Sequence, residues 1–176
     1  MTLMKSSKKS AVTDRWVLNA SPLIVLSRIG REGLFFALAD QVVVPRAVAS
    51  EIEAGPADGR VRQALATGRF AIVDTPPPPA EILAWDLGAG ETAVLSFALA
   101  EEGCTAILDD AAARRCARTF SVPVKGTLAV VVSAQQQGLV FPAAEVLRSL
   151  RAVGFYLDDQ VVREALIRTV GEEWLP

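Results

Sequence analysis

Short apolar runs rich in β-branched residues alternate with amphipathic segments along this chain, and this alternation strongly restricts its possible folds. The expected strands cover residues 16–19, 42–44, 70–73, 105–108 and 122–124. The expected helices cover residues 21–29, 34–38, 46–54, 61–66, 91–101, 111–119, 127–137, 142–152 and 158–169. Buried strands separated by helices predict an α/β protein of three α/β/α layers, with a mainly parallel central sheet covered on both faces.

A length of 176 residues suits one domain, which we expect to cover residues 15–176, including the C-terminal helices. Residues 1–14 are basic but have no apolar segment after their lysines, so we expect a disordered arm and not a secretion signal. No apolar stretch is long enough to span a bilayer. Cys104 and Cys116 are the only cysteines, and we expect buried free thiols in a cytoplasmic protein.

The chain contains no histidine. Its absence excludes Ser-His-Asp and Cys-His catalysis, zinc sites with histidine ligands, and histidine general bases. Any chemistry must therefore rest on carboxylates, hydroxyls, amides, lysine and arginine. The formal net charge of −2 is not a basic signature, so affinity for nucleic acid would require a local basic patch.

Polar side chains occur where two of the expected strands end. Asn19 ends the first strand, and Asp109 and Asp110 follow the strand at 105–108. In parallel sheets, ligands bind at the carboxyl ends of the strands. Glu51 and Glu91 lie on expected helices, at positions whose spacing places them on or beside the buried stripe. These five residues are therefore the candidates for a site at one edge of the sheet.

A structural role explains each of these residues taken alone, because aspartate is a common helix cap and glutamate in a first turn complements the helix dipole. Taken together, inward carboxylates lose hydration unless a cation compensates them. A hard divalent ion held by oxygen ligands is such a cation. Two such ions about 3.5–4 Å apart activate a water and stabilise the leaving oxygen of a phosphodiester.

Five segments together resemble the PIN-domain family, in the same order along the chain. They are NASPLIVLSRIG (19–30), VVVPRAVASEI (42–52), GAGETAVLSFAL (88–99), LDDAAARRCA (108–117) and VPVKGTLAVVV (122–132). The resemblance covers residues 16–170 and is greatest to the VapC-like branch long catalogued as a domain of unknown function. It implies a PIN-like fold and a ribonuclease that uses Mg²⁺ or Mn²⁺. It also implies a toxin of a type II toxin–antitoxin pair, inhibited by a small antitoxin, and a homodimer.

Matched by position, the resemblance implies that Glu51, Glu91 and Asp110 are catalytic, metal-binding acidic residues. Asp109, beside the last of them, is expected to join this catalytic site, and Asp109 and Asn19 are expected to contribute ligands or orientation. Asn19 stands where the family has its first acidic residue. An amide oxygen can ligate Mg²⁺, but it brings no charge and cannot act as a base. This substitution keeps a second hypothesis open, in which the chain is a catalytically weak or inactive PIN-like module that binds RNA or a protein partner.

Basic and hydroxyl side chains near the aspartate pair are candidates for supporting or substrate-binding roles. Arg114 and Arg115 either form solvated ion pairs on their helix or contact a carboxylate or a substrate phosphate. Lys125 precedes a strand-to-helix turn whose amides can bind phosphate, although a plain surface loop explains it as well. Ser21 either contacts the metal or its waters or caps the helix that follows.

Two other families of α/β proteins do not match the chain. A receiver domain carries its aspartate pair after the first strand, whereas the pair here comes late. A dinucleotide-binding enzyme requires G-x-G-x-x-G after a strand, and no such motif is present. Asp74 also follows an expected strand, but the proline run after it indicates an exposed turn.

Overall fold

The computed structural model describes residues 13–56 and 59–176, which form a five-stranded parallel sheet covered by helices. The strands are β1 (Arg15–Leu18), β2 (Gln41–Pro45), β3 (Ala71–Val73), β4 (Cys104–Ile107) and β5 (Val124–Lys125). Their order in the sheet is β3-β2-β1-β4-β5, and every neighbouring pair is parallel. The expected three-layer α/β/α fold is confirmed.

Ten helices are present in the described residues, and they pack in two groups. They are α1 (Ala20–Arg28), α2 (Gly33–Leu38), α3 (Arg46–Ala54), α4 (Gly59–Ala66), α5 (Ala80–Leu83), α6 (Ala89–Ala100), α7 (Ala111–Thr119), α8 (Thr127–Gln136), α9 (Ala143–Ala152) and α10 (Asp159–Val170). Helix α3 packs against α1 and α6, whereas α8 packs against α2, α9 and α10. None of these helices is long and apolar enough to cross a membrane.

The order of the strands places β1 beside β4 in the middle of the sheet. The chain first adds β2 and β3 on one side of β1, then crosses over to add β4 and β5 on the other side. Leu18 is paired with Ile107 at the carboxyl end of this central pair. Such a reversal of strand order opens a crevice at the carboxyl edge of a parallel sheet. Asn19 and Asp109 follow the two central strands at this crevice.

Some element boundaries differ from the sequence-based expectation. The expected strand at 122–124 is wrong, because the strand covers Val124–Lys125. Pro123 has no N–H to donate, and the N–H of Val122 donates to the Ala117 carbonyl in the turn after α7. Helix α5 was not expected at all, since it follows directly after a run of four prolines. The Pro79 carbonyl accepts hydrogen bonds from its first turn.

The N-terminal arm expected over residues 1–14 lies almost entirely outside the described residues. Its last two residues, Thr13 and Asp14, are described. The Asp14 carbonyl accepts hydrogen bonds from the backbone N–H groups of Asp40 and Gln41. The chain is therefore bound to the start of β2 from Asp14 onwards.

The C-terminal residues fold back onto α9 and α10. Trp174 is only 3% exposed, and its indole Nε1 donates to Asp159 Oδ1 at 2.8 Å. The Arg151 guanidinium lies 5.0 Å from the centre of the Trp174 ring and donates to the same Asp159 carboxylate. This cluster fixes the two ends of the loop between α9 and α10.

Replacing Trp174 with alanine should therefore lower the free energy of unfolding by about 3–5 kcal/mol, because it removes a large buried ring. The matched control is Leu175→Ala, since Leu175 is 71% exposed and its truncation should change stability by no more than about 0.5 kcal/mol. Urea denaturation of the two variants measures the difference. Equal stabilities would show that the C-terminal segment is not part of the folded core.

Candidate functional site

A pocket of about 700 Å³ opens at the crevice between the carboxyl ends of β1 and β4. One part of its wall is polar and comprises Asn19, Ser21, Glu91, Asp109, Asp110 and Arg114. Another part is mostly apolar and comprises Leu128, Phe155, Tyr156, Leu157, Val161 and Val162, together with the Asp158 carboxylate. The pocket therefore joins most of the predicted site residues to a wall that the sequence reasoning did not assign to any site.

Asn19 is the most buried polar residue at this pocket, with 3% of its surface exposed. Its backbone N–H donates to the Ile107 carbonyl at 3.1 Å, which extends the pairing of β1 with β4. Its side-chain Nδ2 donates to Glu91 Oε1 at 3.1 Å. Its Oδ1 atom is buried and has no hydrogen-bond partner. An unpaired buried acceptor lowers the stability of the folded protein, so a ligand bound to this oxygen would be stabilising.

Glu51 reaches Asn19 across the backbone of Gly90. A Cβ atom on Gly90 would lie 2.5 Å from Glu51 Oε2 and 2.9 Å from Asn19 Oδ1, so any larger residue would displace these side chains. Glu51 lies on α3 and Glu91 on α6, two helices that pack against each other. Glu51 is otherwise exposed, and it does not line the pocket. Glu51 and Asn19 thus meet at Gly90, and Asn19 connects them to Glu91 through its hydrogen bond.

The electrostatics of this group are unfavourable for two carboxylates without a cation. Partial burial raises the pKa of Glu51, and repulsion from the Glu91 carboxylate raises it further. Asn19 donates one hydrogen bond to Glu91 but brings no positive charge. The negative charges of Glu51 and Glu91 are therefore poorly stabilised, and a bound cation would reduce the repulsion between them.

The two adjacent aspartates have different partners. Asp109 accepts three hydrogen bonds, from Thr127 N at 2.7 Å, Thr127 Oγ1 at 2.8 Å and Ser21 Oγ at 3.0 Å. Asp109 therefore ties α1 and the start of α8 to the end of β4. Asp110 is exposed and caps α7, where its Oδ1 accepts from Ala113 N at 2.8 Å.

The residues expected to have supporting roles differ in their surroundings in the structure. Ser21 donates to Asp109, and the predicted helix-cap role is wrong because Asn19 occupies the cap position of α1. Arg114 lines the pocket, and its Nε atom is buried without a hydrogen-bond partner. Arg115 is exposed and does not line the pocket. Lys125 extends over the buried core instead, with its Nζ 4.8 Å from the centre of the Trp16 ring.

Within residues 13–56 and 59–176, no group of three or more His, Cys, Asp or Glu side chains is arranged to hold a metal ion. Asn19, Glu51 and Glu91 together offer two carboxylates and one amide oxygen. Mg²⁺ commonly binds proteins through one or two carboxylates and keeps several waters. The unpaired Asn19 Oδ1 and the raised pKa of Glu51 are both features that a cation would relieve. This donor set therefore fits a hard divalent ion.

Sequence reasoning missed three features of the site. Thr127 is fully buried and bonds to Asp109, although its place at the start of an expected helix offered no hint of that contact. Gly90 precedes Glu91 and looks like an ordinary turn glycine in the sequence. Tyr156, the only tyrosine of the chain, lies in a loop far along the sequence and reaches the pocket only through the packing of α9 and α10.

Comparison with known protein families is consistent with this geometry. A family model described as a PIN domain matches residues 15–172. The matched segment begins with β1 and ends beyond α10, so it includes all five strands and every candidate site residue. No curated protein matches the chain.

The hydrogen bonds predict that the two aspartates differ in their importance for stability. Asp109→Asn should lower the free energy of unfolding by about 1.5–3 kcal/mol, because the acceptor loses its charge and one of its two oxygens becomes a donor that faces hydrogen-bond donors. Asp110→Asn is the matched control and should change it by less than about 0.5 kcal/mol, since asparagine caps helices as well as aspartate does. Urea denaturation measures both. Equal losses would contradict a structural role particular to Asp109.

The raised pKa of Glu51 predicts a pH-dependent gain of stability in Glu51→Gln. Because the pKa is higher in the folded protein, ionised Glu51 is destabilising above that pKa, and this cost disappears as the pH falls towards the unfolded value. Without added metal, Glu51→Gln should therefore have a higher Tm than the wild type at neutral pH. The gain should shrink as the medium becomes acidic.

Thermal unfolding in EDTA across a pH series measures this gain. Glu53→Gln is the matched control, because Glu53 is exposed on the same helix, and its Tm should follow the wild type throughout. A Glu51→Gln variant that is no more stable than Glu53→Gln at neutral pH would show that Glu51 carries no such cost.

Proposed function

This chain belongs to the PIN-domain family, and from that premise we propose that it is a metal-dependent endoribonuclease that hydrolyses RNA phosphodiester bonds. PIN domains are in general related to nucleases and use divalent metal ions. The observation that carries the proposal is the approach of Glu51 to Asn19 Oδ1 at Gly90, together with the hydrogen bond from Asn19 to Glu91 at the edge of a pocket. The unpaired oxygen and the two carboxylates support a site for Mg²⁺ or Mn²⁺.

In this proposal, Asn19, Glu51 and Glu91 bind the metal. Glu51 and Glu91 provide charge, and Asn19 adds a neutral oxygen while its amide orients Glu91. Asp110 contributes a further carboxylate from the start of α7. When bound, a divalent ion lowers the pKa of a water and neutralises charge on the phosphate. Asp109 has a positioning role, because its hydrogen bonds fix the end of β4.

Arg114 is the residue best placed to bind the substrate phosphate. Its guanidinium lies beside the pocket, and its buried Nε lacks a partner. Guanidinium groups suit phosphate because their fork of donors matches two oxygens at once. Ser21 acts indirectly in this proposal by donating to Asp109, and Arg115 contacts the RNA beyond the pocket. Lys125 packs on Trp16 and is not part of the proposed contacts.

A second candidate function follows from Asn19. The side-chain N–H of Asn19 donates a hydrogen bond to a Glu91 oxygen. An amide supplies neither negative charge nor a general base. These properties favour a PIN-like module that binds RNA or a protein partner without cleaving. The two candidates differ in metal-dependent cleavage, which the experiment below measures.

The family resemblance supports three further parts of the proposal. The chain is the toxin of a type II toxin–antitoxin pair, a small antitoxin protein binds and inhibits it, and it acts as a homodimer in the cytoplasm. Light scattering of the purified chain tests the dimer. Expression of the chain alone should inhibit growth, and co-expression of the neighbouring gene should restore it if that gene encodes the antitoxin. Growth that the chain alone leaves unaffected would contradict the toxin assignment.

The proposed function predicts that the wild type cleaves single-stranded RNA with Mg²⁺ or Mn²⁺ and not with EDTA. Glu91→Gln should reduce the cleavage rate by about 100-fold or more, because it removes charge from the metal site. It should also abolish the rise in Tm that Mn²⁺ causes in the wild type, since only bound metal stabilises the fold.

Glu102→Gln is the matched control, because Glu102 is an exposed carboxylate just after the same helix. It should cleave RNA and respond to Mn²⁺ as the wild type does. A wild type that gains stability from Mn²⁺ but cleaves no RNA would reject the nuclease and favour the non-cleaving module. Cleavage that persists in EDTA would reject the metal-dependent mechanism.

A further inference from the structure

We propose that the exposed ring of Tyr156 is a stacking platform for one unpaired nucleobase of the RNA that binds at this pocket. The inference rests on the proposed function for the class of substrate and extends it to a residue with no assigned role. Three observations carry it. They are the exposure of the ring, the anchoring of its loop, and the division of the pocket into a polar and an apolar wall.

Tyr156 lies at the tip of the loop between α9 and α10, and 84% of its surface is exposed. Its two neighbours in the sequence are much less exposed. Leu157 is buried, and Phe155 is partly buried and packs against the core. Single exposed apolar residues are common and need no explanation. Tyr156 differs because all three residues line the pocket that contains Glu91.

The loop that carries Tyr156 is held at both sides. Arg151 donates to the Leu157 carbonyl at 2.9 Å and to Asp159 Oδ1. The Asp158 side chain caps α10 by accepting from the backbone N–H of Val161 at 3.0 Å. The exposed ring is therefore presented by an ordered backbone, so binding a flat ligand costs little additional order in the loop.

The two walls of the pocket define the chemistry of the occupant. At one wall lie the carboxylates and the Arg114 guanidinium, where a phosphodiester would bind. Tyr156, Leu128 and Val161 belong to the other wall, where the Asp158 carboxylate is engaged as the cap of α10. A ligand that satisfies both walls carries an anionic phosphate and a flat apolar group a short distance apart. A nucleotide of RNA has this structure, and its volume is compatible with a pocket of this size.

Stacking on Tyr156 implies that the bound nucleotide is unpaired. In a duplex the faces of the bases are covered by their neighbours, whereas bases in single strands and loops can be splayed out onto aromatic side chains. Such stacking tolerates any base, because every base has a π-face. The inference therefore specifies single-stranded RNA and does not specify a sequence.

Binding to short oligoribonucleotides tests the proposal in a Glu91→Gln background, which is chosen to prevent cleavage. Fluorescence anisotropy compares oligoadenylate with a ribose-phosphate chain that carries no bases. The variants are Tyr156→Ala, which removes the ring, and Tyr156→Phe, which keeps it. Phe141→Ala is the matched control, because Phe141 is 85% exposed but lies outside this pocket.

Oligoadenylate should bind more tightly than the chain without bases. Tyr156→Ala should weaken the binding of oligoadenylate about 5- to 150-fold, which is the range expected for one stacked base. It should leave the chain without bases unaffected, while Tyr156→Phe and Phe141→Ala should bind both ligands as the parent does. Undiminished binding of oligoadenylate by Tyr156→Ala would overturn the proposal. Equal weakening of both ligands, or no binding by the parent, would overturn it as well.

A spectroscopic measurement supports the same test because the chain has a single tyrosine. With 3-fluorotyrosine incorporated, the ¹⁹F spectrum reports on Tyr156 alone. Oligoadenylate should shift the resonance, and the chain without bases should not. A resonance that oligoadenylate leaves unmoved would overturn the stacking contact.

The outcomes for the proposed function and for Tyr156 are separable. Base-dependent binding that Tyr156→Ala abolishes, in a wild type that cleaves no RNA, would reject the nuclease and keep the stacking platform. Metal-dependent cleavage by the wild type, with RNA binding unaffected by Tyr156→Ala, would keep the nuclease and reject the platform. In the latter case the apolar wall becomes a candidate surface for a protein partner.

Discussion

The parallel pairing of β1 with β4 is the constraint on which the site depends. It joins segments that are distant in the chain, and the hydrogen bond from Asn19 N to the Ile107 carbonyl continues it to the edge of the sheet. Asp109 then ties this edge to α1 and α8 through Ser21 and Thr127. Because the order of the strands reverses here, a crevice opens at this edge of the sheet, and the pocket lies there.

The same edge carries features that do not favour stability. Asn19 Oδ1 is buried without a partner, and the pKa of Glu51 is raised by partial burial and by Glu91. Gly90 permits this approach, since a larger residue would collide with both Glu51 and Asn19. Local costs of this kind commonly occur at functional sites, where the surrounding structure must maintain them. The buried central strands and the hydrogen bonds of Asp109 provide that support.

The apolar wall of the pocket depends on a separate part of the chain. Trp174 and Arg151 both bind Asp159, and together they order the start of α10. The loop that carries Tyr156 lines the same pocket as Glu91, Asp109 and Asp110. The stability of the C-terminal segment and the shape of the pocket are thus connected, although Trp174 does not line the pocket.

Local patterns in the sequence were sufficient to predict the parallel sheet, most helices and the acidic positions at its edge, because periodicity and strand ends depend on neighbouring residues. The two aspartates show where such patterns stop being informative. Asp109 and Asp110 are chemically identical neighbours, and their difference arises from Thr127, which a distant segment brings to Asp109 alone. Tyr156 and Lys125 show the same limit, since long-range packing turns one towards the pocket and the other over Trp16. Contacts between remote segments are set by how the whole chain packs, and no local pattern encodes them.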